Sequence, residues 1–288
     1  MNCYERGEAQ RLYNKTVGII GTGTMGVQIT ECFIENGYRV ILKTRDLSSK
    51  DRIMQTINRH LLKMGDKSYA DNALSHLSIT DSFDCLTACS IIIESVVEDY
   101  QIKCEILRKI KNIVSDRSII VTNTSALSVN RLSEELPGLT GFHFFNPASR
   151  MRLIEIVPSK TTQPSTIELL KRVTESLGKQ PIVVTDSPGF LVNKLLLPQI
   201  NNAIKMHEAG IASKEDIDSA MRLGLNHSMG PFELADFIGL DVCYYILEEM
   251  YEVSDDLNYR PASLLKELIS RNRLGMKSGS GFYDYPRV

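Results

Sequence analysis

His143 stands among phenylalanines in Gly141-Phe142-His143-Phe144-Phe145, and Glu155 follows twelve positions later in a second apolar stretch, Leu153-Ile154-Glu155-Ile156-Val157. An imidazole, with an unperturbed pKa of ~6.5, takes up and gives back a proton near neutrality. A carboxylate on its other ring nitrogen orients it and stabilises its charged form. Apolar surroundings suit a reaction that must exclude water. Each residue also has a plainer reading: a core histidine satisfied by backbone groups, and a charge at a strand edge.

The second chemical signal is Gly21-Thr22-Gly23-Thr24-Met25-Gly26. It follows an apolar run, Val17-Gly18-Ile19-Ile20, and precedes a stretch with Ile29, Phe33 and Ile34 at helical spacing and Gly37 as a stop. Tyr38 to Lys43 reads as the next strand. In such a strand–turn–helix–strand frame, Gly21 makes the tight turn, Gly23 lets a pyrophosphate approach the backbone, and Gly26 lets helix and strand pack closely. The phosphates would meet free N–H groups and the positive end of the helix dipole at Thr24 and Met25.

These residues need a scaffold, and the chain supplies one by alternation. A helix with Ile53, Ile57 and Leu61 four apart precedes a buried strand at 90–96, a helix from Tyr100, a strand at 118–125, and further strands around His143, Glu155 and Pro181. The pattern predicts a doubly wound α/β domain of Rossmann type over 16–186, whose ligand lies beyond the carboxyl ends of the strands. Residues 1–15 read as a polar extension without a signal-peptide core. Over 187–288 the strand signal stops and only helical patterns remain, with Ser187 and Pro188 suited to cap and open the first. The stretch from Gly230 to Glu252 reads as one helix. This all-helical domain, expected to serve substrate binding and dimerisation, is too thin to bury its apolar faces alone. A homodimer through it is the expectation.

Composition narrows the classes of function. The 288 residues are 43% hydrophobic and 24% charged with net charge −2, ordinary for a globular chain and no footprint for nucleic acid or an anionic membrane. No apolar run reaches the ~20 residues of a membrane-spanning helix. The six cysteines show no zinc-type pairing, no metal site is expected, and reduced thiols in a cytoplasmic protein are the simpler reading.

Several motifs together resemble a known family. Ile19-Ile20-Gly21-Thr22-Gly23-Thr24-Met25-Gly26, Thr122-Asn123-Thr124-Ser125, the segment from Gly141 to Val157, Asp186-Ser187-Pro188-Gly189-Phe190-Leu191-Val192-Asn193, Met229-Gly230-Pro231-Phe232-Glu233-Leu234 and the closing Gly281-Phe282-Tyr283-Asp284-Tyr285 are similar, in order, to those of the L-3-hydroxyacyl-CoA dehydrogenases. The resemblance covers essentially the whole chain from residue 16. It implies an oxidoreductase that interconverts 3-hydroxyacyl and 3-oxoacyl thioesters with NAD or NADP. His143 would be the general base, Glu155 its orienting partner, and Ser125 and Asn193 the groups that hold the substrate oxygens where negative charge gathers. Glu94, Glu98 and Lys103 match positions lining the nicotinamide half, Asn146 lies beside the catalytic histidine, and Lys63 or Lys67 would meet the phosphates of coenzyme A. His227 and the aromatic residues of the closing motif read as structural or packing groups.

The chain departs from the family at the end of the second strand. An aspartate commonly stands there and binds the ribose hydroxyls of NAD; here Thr44 holds the place, Arg45 follows and Asp46 comes two residues on. Loss of the acid removes repulsion against a 2′-phosphate, and Arg45 could bind one, so tolerance of or preference for NADP is expected. The substrate would be an acyl-CoA or, as in secondary metabolism, an acyl-carrier-protein thioester. A non-catalytic nucleotide-binding protein on the same scaffold has no need of His143 and Glu155 together. A dehydrogenase of free 3-hydroxy acids would use a lysine such as Lys194, and the segment His143-Phe144-Phe145-Asn146-Pro147 argues against it.

Overall fold

The first strand, β1 (Thr16–Ile20), is buried over its last four residues, as expected of a parallel strand covered on both faces. In the computed structural model, which describes residues 16–114 and 118–286, the chain divides into two units, one ending at Asp186 and the other beginning at Ser187. The polar extension expected over residues 1–15 lies outside the described residues.

In the first unit β1 is followed by α1 (Thr24–Glu35), β2 (Arg39–Lys43), α2 (Lys50–Met64), α3 (Lys67–Leu74), β3 (Leu77–Thr80), β4 (Ile91–Glu94), α4 (Tyr100–Lys111) and β5 (Ile119–Thr122). A short α5 (Val129–Leu132), β6 (Thr140–Phe144), β7 (Leu153–Pro158), α6 (Pro164–Ser176) and β8 (Gln180–Val183) complete it. The strands form one eight-stranded sheet in the order β3-β2-β1-β4-β5-β6-β7-β8. Neighbours run parallel except β6 and β7, which are antiparallel.

Strand alternation feeds two cores. Val17, Ile19, Ile91, Ile93 and Val121 face one way and pack with Ile29 and Phe33 of α1, Ile57 and Leu61 of α2, and Leu170 of α6. Ile20, Ile92 and Ile120 face the other way and pack with Cys104, Leu107 and Ile110 of α4. The sheet order reverses at β1, which lies between β2 and β4; a crevice opens beyond the carboxyl ends of strands at such a switch point. This is a Rossmann-type α/β unit.

The second unit is helical: α7 (Val192–Glu208), α8 (Lys214–Leu225), α9 (Pro231–Ile238), α10 (Leu240–Ser254) and α11 (Ser263–Ser270). Two buried aspartates hold its parts together. Gly230 precedes α9 without a side chain to cap it, so Asp218 of α8 accepts from the N–H groups of Phe232 at 2.8 Å and Glu233 at 3.1 Å. Asp236 accepts from Phe282 N at 2.8 Å, Tyr283 N at 2.9 Å and the Tyr285 hydroxyl at 3.0 Å, and Tyr283 donates to Asp218 at 2.9 Å. The closing aromatic motif is therefore anchored packing. Burial pushes both carboxyls upward, only partly offset by these hydrogen bonds.

Two local expectations need correction, and two elements add to the pattern. Ser187 and Pro188 do not open a helix: Gly189 (φ 75°) and Phe190 (φ 52°) are left-handed, Ser187 closes a turn with Phe190 N at 2.9 Å, and α7 starts only at Val192. The stretch from Gly230 is two helices, because Gly239 at φ 108° breaks the backbone between α9 and α10. Strand β3 and helix α3 were not anticipated; β3 is four residues long, half-buried and at the sheet edge.

Candidate active site

His143 and Glu155 come together because β6 and β7 are antiparallel. Their register pairs His143 directly with Glu155, and cross-strand neighbours project to the same face. Nδ1 of His143 lies 2.8 Å from Oε2 of Glu155, with side chains 4% and 0% exposed. A buried carboxylate beside a ring nitrogen calls for the tautomer in which Nδ1–H donates, which makes Nε2 the basic nitrogen. The Phe145 ring covers the imidazole at 4.6 Å between centroids.

Ser125 follows β5, one strand from His143 in the sheet, and its loop is fastened from below. Glu98 accepts from Ser125 N at 2.8 Å, Ala126 N at 3.1 Å and the Thr124 hydroxyl. Behind it Lys103, wholly buried, donates to Glu94 at 2.8 and 3.0 Å and lies 3.4 Å from Glu98. Burial pushes the Glu98 carboxyl up, but the Lys103 charge and the bonds from Thr124, Ser125 and Ala126 outweigh it and hold the group below the usual carboxylate range. For Lys103 burial works downward, and the two carboxylates more than reverse it. Thr122 donates to Glu94 at 2.5 Å, so Glu94 and Lys103 are committed to partners inside the protein.

The glycine turn distinguishes contacts within the chain from space outside it. A Cβ on Gly21 (φ 115°) would lie 2.3 Å from the Ser95 carbonyl oxygen, and one on Gly26 would lie 2.0 Å from that of Gly21. A Cβ on Gly23 would meet nothing within 4 Å among the described residues. Gly21 and Gly26 thus serve the turn and the packing, whereas Gly23 keeps an approach to the start of α1 open. Gly23 caps α1 without a side-chain hydrogen bond, and Thr24 is exposed there, which fits a pyrophosphate on the helix dipole.

At the end of β2, Thr44 is buried and its hydroxyl lies 3.2 Å from the Asp46 carbonyl oxygen and 3.1 Å from Ser49 Oγ. Asp46 accepts from Ser48 N at 2.8 Å and Ser48 Oγ at 2.5 Å, bonds that lower its carboxyl pKa. Arg45 is exposed. Asn146 lies in the loop after β6, where its Oδ1 accepts from Gln28 of α1 at 3.1 Å. Asn193 sits in the first turn of α7, in the second unit. Lys63, at the end of α2, and Lys67, at the start of α3, are both exposed. The contact between Gln28 and Asn146 carries no local signal in the sequence, because the partners lie 118 residues apart.

A mainly parallel sheet with an open glycine turn at its switch point defines a dinucleotide-binding protein. A family described as 3-hydroxyacyl-CoA dehydrogenase, NAD binding domain, matches residues 16–187, and its C-terminal domain counterpart matches residues 189–285. The chain is 38% identical over 277 residues to a 3-hydroxybutyryl-CoA dehydrogenase of Clostridioides difficile, covering 93% of this chain and 99% of that one. It is 34% identical over 294 residues to a mitochondrial hydroxyacyl-coenzyme A dehydrogenase of Sus scrofa, covering 96% and 93%. The solved (S)-3-hydroxybutyryl-CoA dehydrogenase of Ralstonia eutropha superposes with a TM-score of 0.90 at 36% identity, covering 95% of this chain and 100% of that one. The chain belongs to the 3-hydroxyacyl-CoA dehydrogenase family and is an NAD-binding oxidoreductase.

Proposed function

We propose that the protein interconverts 3-hydroxyacyl and 3-oxoacyl thioesters of coenzyme A, with His143 as general base and Glu155 as its orienting carboxylate. The observation that carries this reading is the buried contact of 2.8 Å between His143 Nδ1 and Glu155 Oε2. In the oxidative direction Nε2 of His143 takes the proton of the 3-hydroxyl while the C3–H bond gives up its electron pair, and the C3–O bond becomes a carbonyl. A bound nicotinamide ring supplies the hydride acceptor. Ser125 and Asn193 hold the substrate oxygen as its charge changes, and Glu155 stabilises the imidazolium until the proton is returned. Lys63 or Lys67 meets the coenzyme A phosphates. The relatives named as 3-hydroxybutyryl-CoA dehydrogenases point to short acyl chains.

The nucleotide is NADPH as well as NADH in this reading. Thr44 presents no carboxylate to a 2′-phosphate, Asp46 is turned onto Ser48, and Arg45 is exposed beside them. The active form is a homodimer through the helical unit, supported by the exposure of Leu223 (86%), Ile211 (65%) and Leu225 (61%), because apolar side chains displayed in this number mark an interface. Acetoacetyl-CoA supplied with NADH or NADPH should discharge the nicotinamide absorbance. An acyl-carrier-protein thioester in place of the CoA ester tests the carrier. Absence of turnover with either thioester, from protein that still binds nucleotide, would leave only a nucleotide-binding scaffold.

A further inference from the structure

The loop that follows β6 is tied to helix α1 by Gln28 and, more weakly, by Cys32. Gln28, in the second turn of α1, donates through Nε2 to Asn146 Oδ1 at 3.1 Å and accepts through Oε1 from Ala148 N at 2.7 Å. Residue 148 is itself held fast: its carbonyl accepts from Lys179 Nζ at 2.5 Å and faces Cys32 Sγ at 3.3 Å. Lys179 also donates to the Met151 carbonyl at 2.8 Å. At the other end of the segment Phe144 N donates to Asn123 Oδ1 at 2.9 Å.

These contacts form a directional chain. The orientation of an amide side chain is decided by its hydrogen-bonding network, because oxygen and nitrogen ends are nearly alike in shape. Here the chain starts from a group without ambiguity, since a backbone N–H can only donate. Ala148 N therefore fixes Oε1 of Gln28 as the acceptor and Nε2 as the donor. The donor in turn fixes Asn146 Oδ1 as the acceptor facing α1, and the Asn146 –NH2 group must face away from it. Asn146 is exposed, so those two N–H groups are available to a ligand on that side.

We infer that Gln28 is a positioning residue that sets the Asn146 amide so that it offers N–H donors, and not its oxygen, to the carboxamide oxygen of the nicotinamide. The inference rests on the reading that the cleft takes a nicotinamide nucleotide and that Asn146 lies on its nicotinamide side. It gives Gln28 a role at a place it does not touch. The phosphate-binding helix and the loop beside the base then move as one piece, and a ring bound against α1 is presented to the loop in a fixed orientation.

Gln28→Glu separates the two halves of the bridge. The carboxylate still accepts from Ala148 N but cannot donate to Asn146, so the Asn146 amide must turn and present its oxygen. Binding is read by isothermal titration calorimetry, without substrate, for NADH and for ADP-ribose, which lacks the nicotinamide. Gln28→Glu should weaken NADH about tenfold, the scale of one hydrogen bond turned repulsive, and leave ADP-ribose unchanged. In an Asn146→Ala background the same change should cost nothing further. Asn146→Asp, which still accepts from Gln28 but has no N–H to give, should match the loss and covers the case in which Gln28→Glu fails to fold, as thermal melts would reveal. Equal weakening of ADP-ribose, independent losses in the double variant, or wild-type NADH affinity in Asn146→Asp would each overturn the role of Gln28. Unchanged NADH affinity in Asn146→Ala would overturn the placement of Asn146 itself, and with it the inference.

Discussion

Replacing His143 with glutamine keeps a planar, hydrogen-bonding side chain opposite Glu155 and removes the titratable nitrogen. Turnover should fall by about 10²–10⁴-fold, the range for loss of a general base, while nucleotide affinity measured by fluorescence stays within about twofold of wild type. A second residue-scale prediction concerns Thr44. Thr44→Asp places a carboxylate at the end of β2, where it repels a 2′-phosphate and accepts from ribose hydroxyls. The ratio of kcat/KM for NADPH to that for NADH should fall by at least about tenfold; an unchanged ratio would mean that the end of β2 does not read the ribose. At this scale the sequence is informative where chemistry and local motif coincide. His143, Glu155 and the three glycines can be singled out before any coordinates. The amide chain from Ala148 through Gln28 to Asn146 cannot, because glutamine and asparagine at those positions carry no pattern and meet only when two distant segments pack.

The turn between β1 and α1 makes a prediction of a different kind, because its glycines answer to different neighbours. Gly26→Ala drives a Cβ into the Gly21 carbonyl, 2.0 Å away in the ideal position, and the helix must shift at a cost of about 1–3 kcal/mol. At Gly23 the Cβ of a valine would meet nothing within 4 Å among the described residues. The melting temperature of Gly23→Val should stay within about 2 °C of wild type, yet NADH binding should be lost, since the added methyls stand where the pyrophosphate approaches. Calorimetry and fluorescence on the pair would separate fold from site; a Gly23→Val protein that binds NADH normally would place the phosphates elsewhere. Elements with long apolar runs are legible in the sequence for the same reason that they are stable. Ile91, Ile92 and Ile93 are buried on both faces of β4. The edge strand β3, with half-buried Leu77, Ile79 and Thr80, lacks that run, and the break at Gly239 hides inside an apolar stretch that keeps helical periodicity on both sides.

For the molecule as a whole the pH dependence of stability carries a testable sign. Glu35 ends α1, where the helix dipole is unfavourable to a negative charge, and its Oε1 has no hydrogen-bond partner among the described residues. Burial first, and then repulsion from Glu31, push its carboxyl up to about 7, with Lys179 working the other way. Between the ordinary carboxylate range and about 7 the folded chain holds a proton that the unfolded chain has released, so this group's contribution to stability falls as pH rises through that window. Glu35→Gln removes the dependence. Discounted for the partial exposure of the group, the variant should melt about 2–4 °C higher than wild type at pH 8 and at the same temperature below pH 4.5; equal melting at both pH values would mean that the carboxylate is better solvated than its surroundings suggest. Light scattering on Leu223→Lys tests the expected dimer, which should shift toward the monomer. The division into a sheet-based unit and a helical unit is legible from the loss of strand pattern after residue 186. The buried aspartates that fasten the second unit are not, since nothing local distinguishes Asp218 and Asp236 from surface acids.

The pairing of His143 with Glu155 is written into a hydrogen-bonded ladder. The connecting residues Ser149 to Arg152 lie outside that ladder and beyond the segment that Gln28 holds, so descendants of this chain can rewrite those side chains while the couple of His143 and Glu155 stays intact. A single residue gained between Leu153 and Glu155 is a different event. Where the start of β7 keeps its pairing, the insertion would turn the side chains beyond it to the opposite face and take Glu155 away from the imidazole, so indels in homologous genes should spare the rungs.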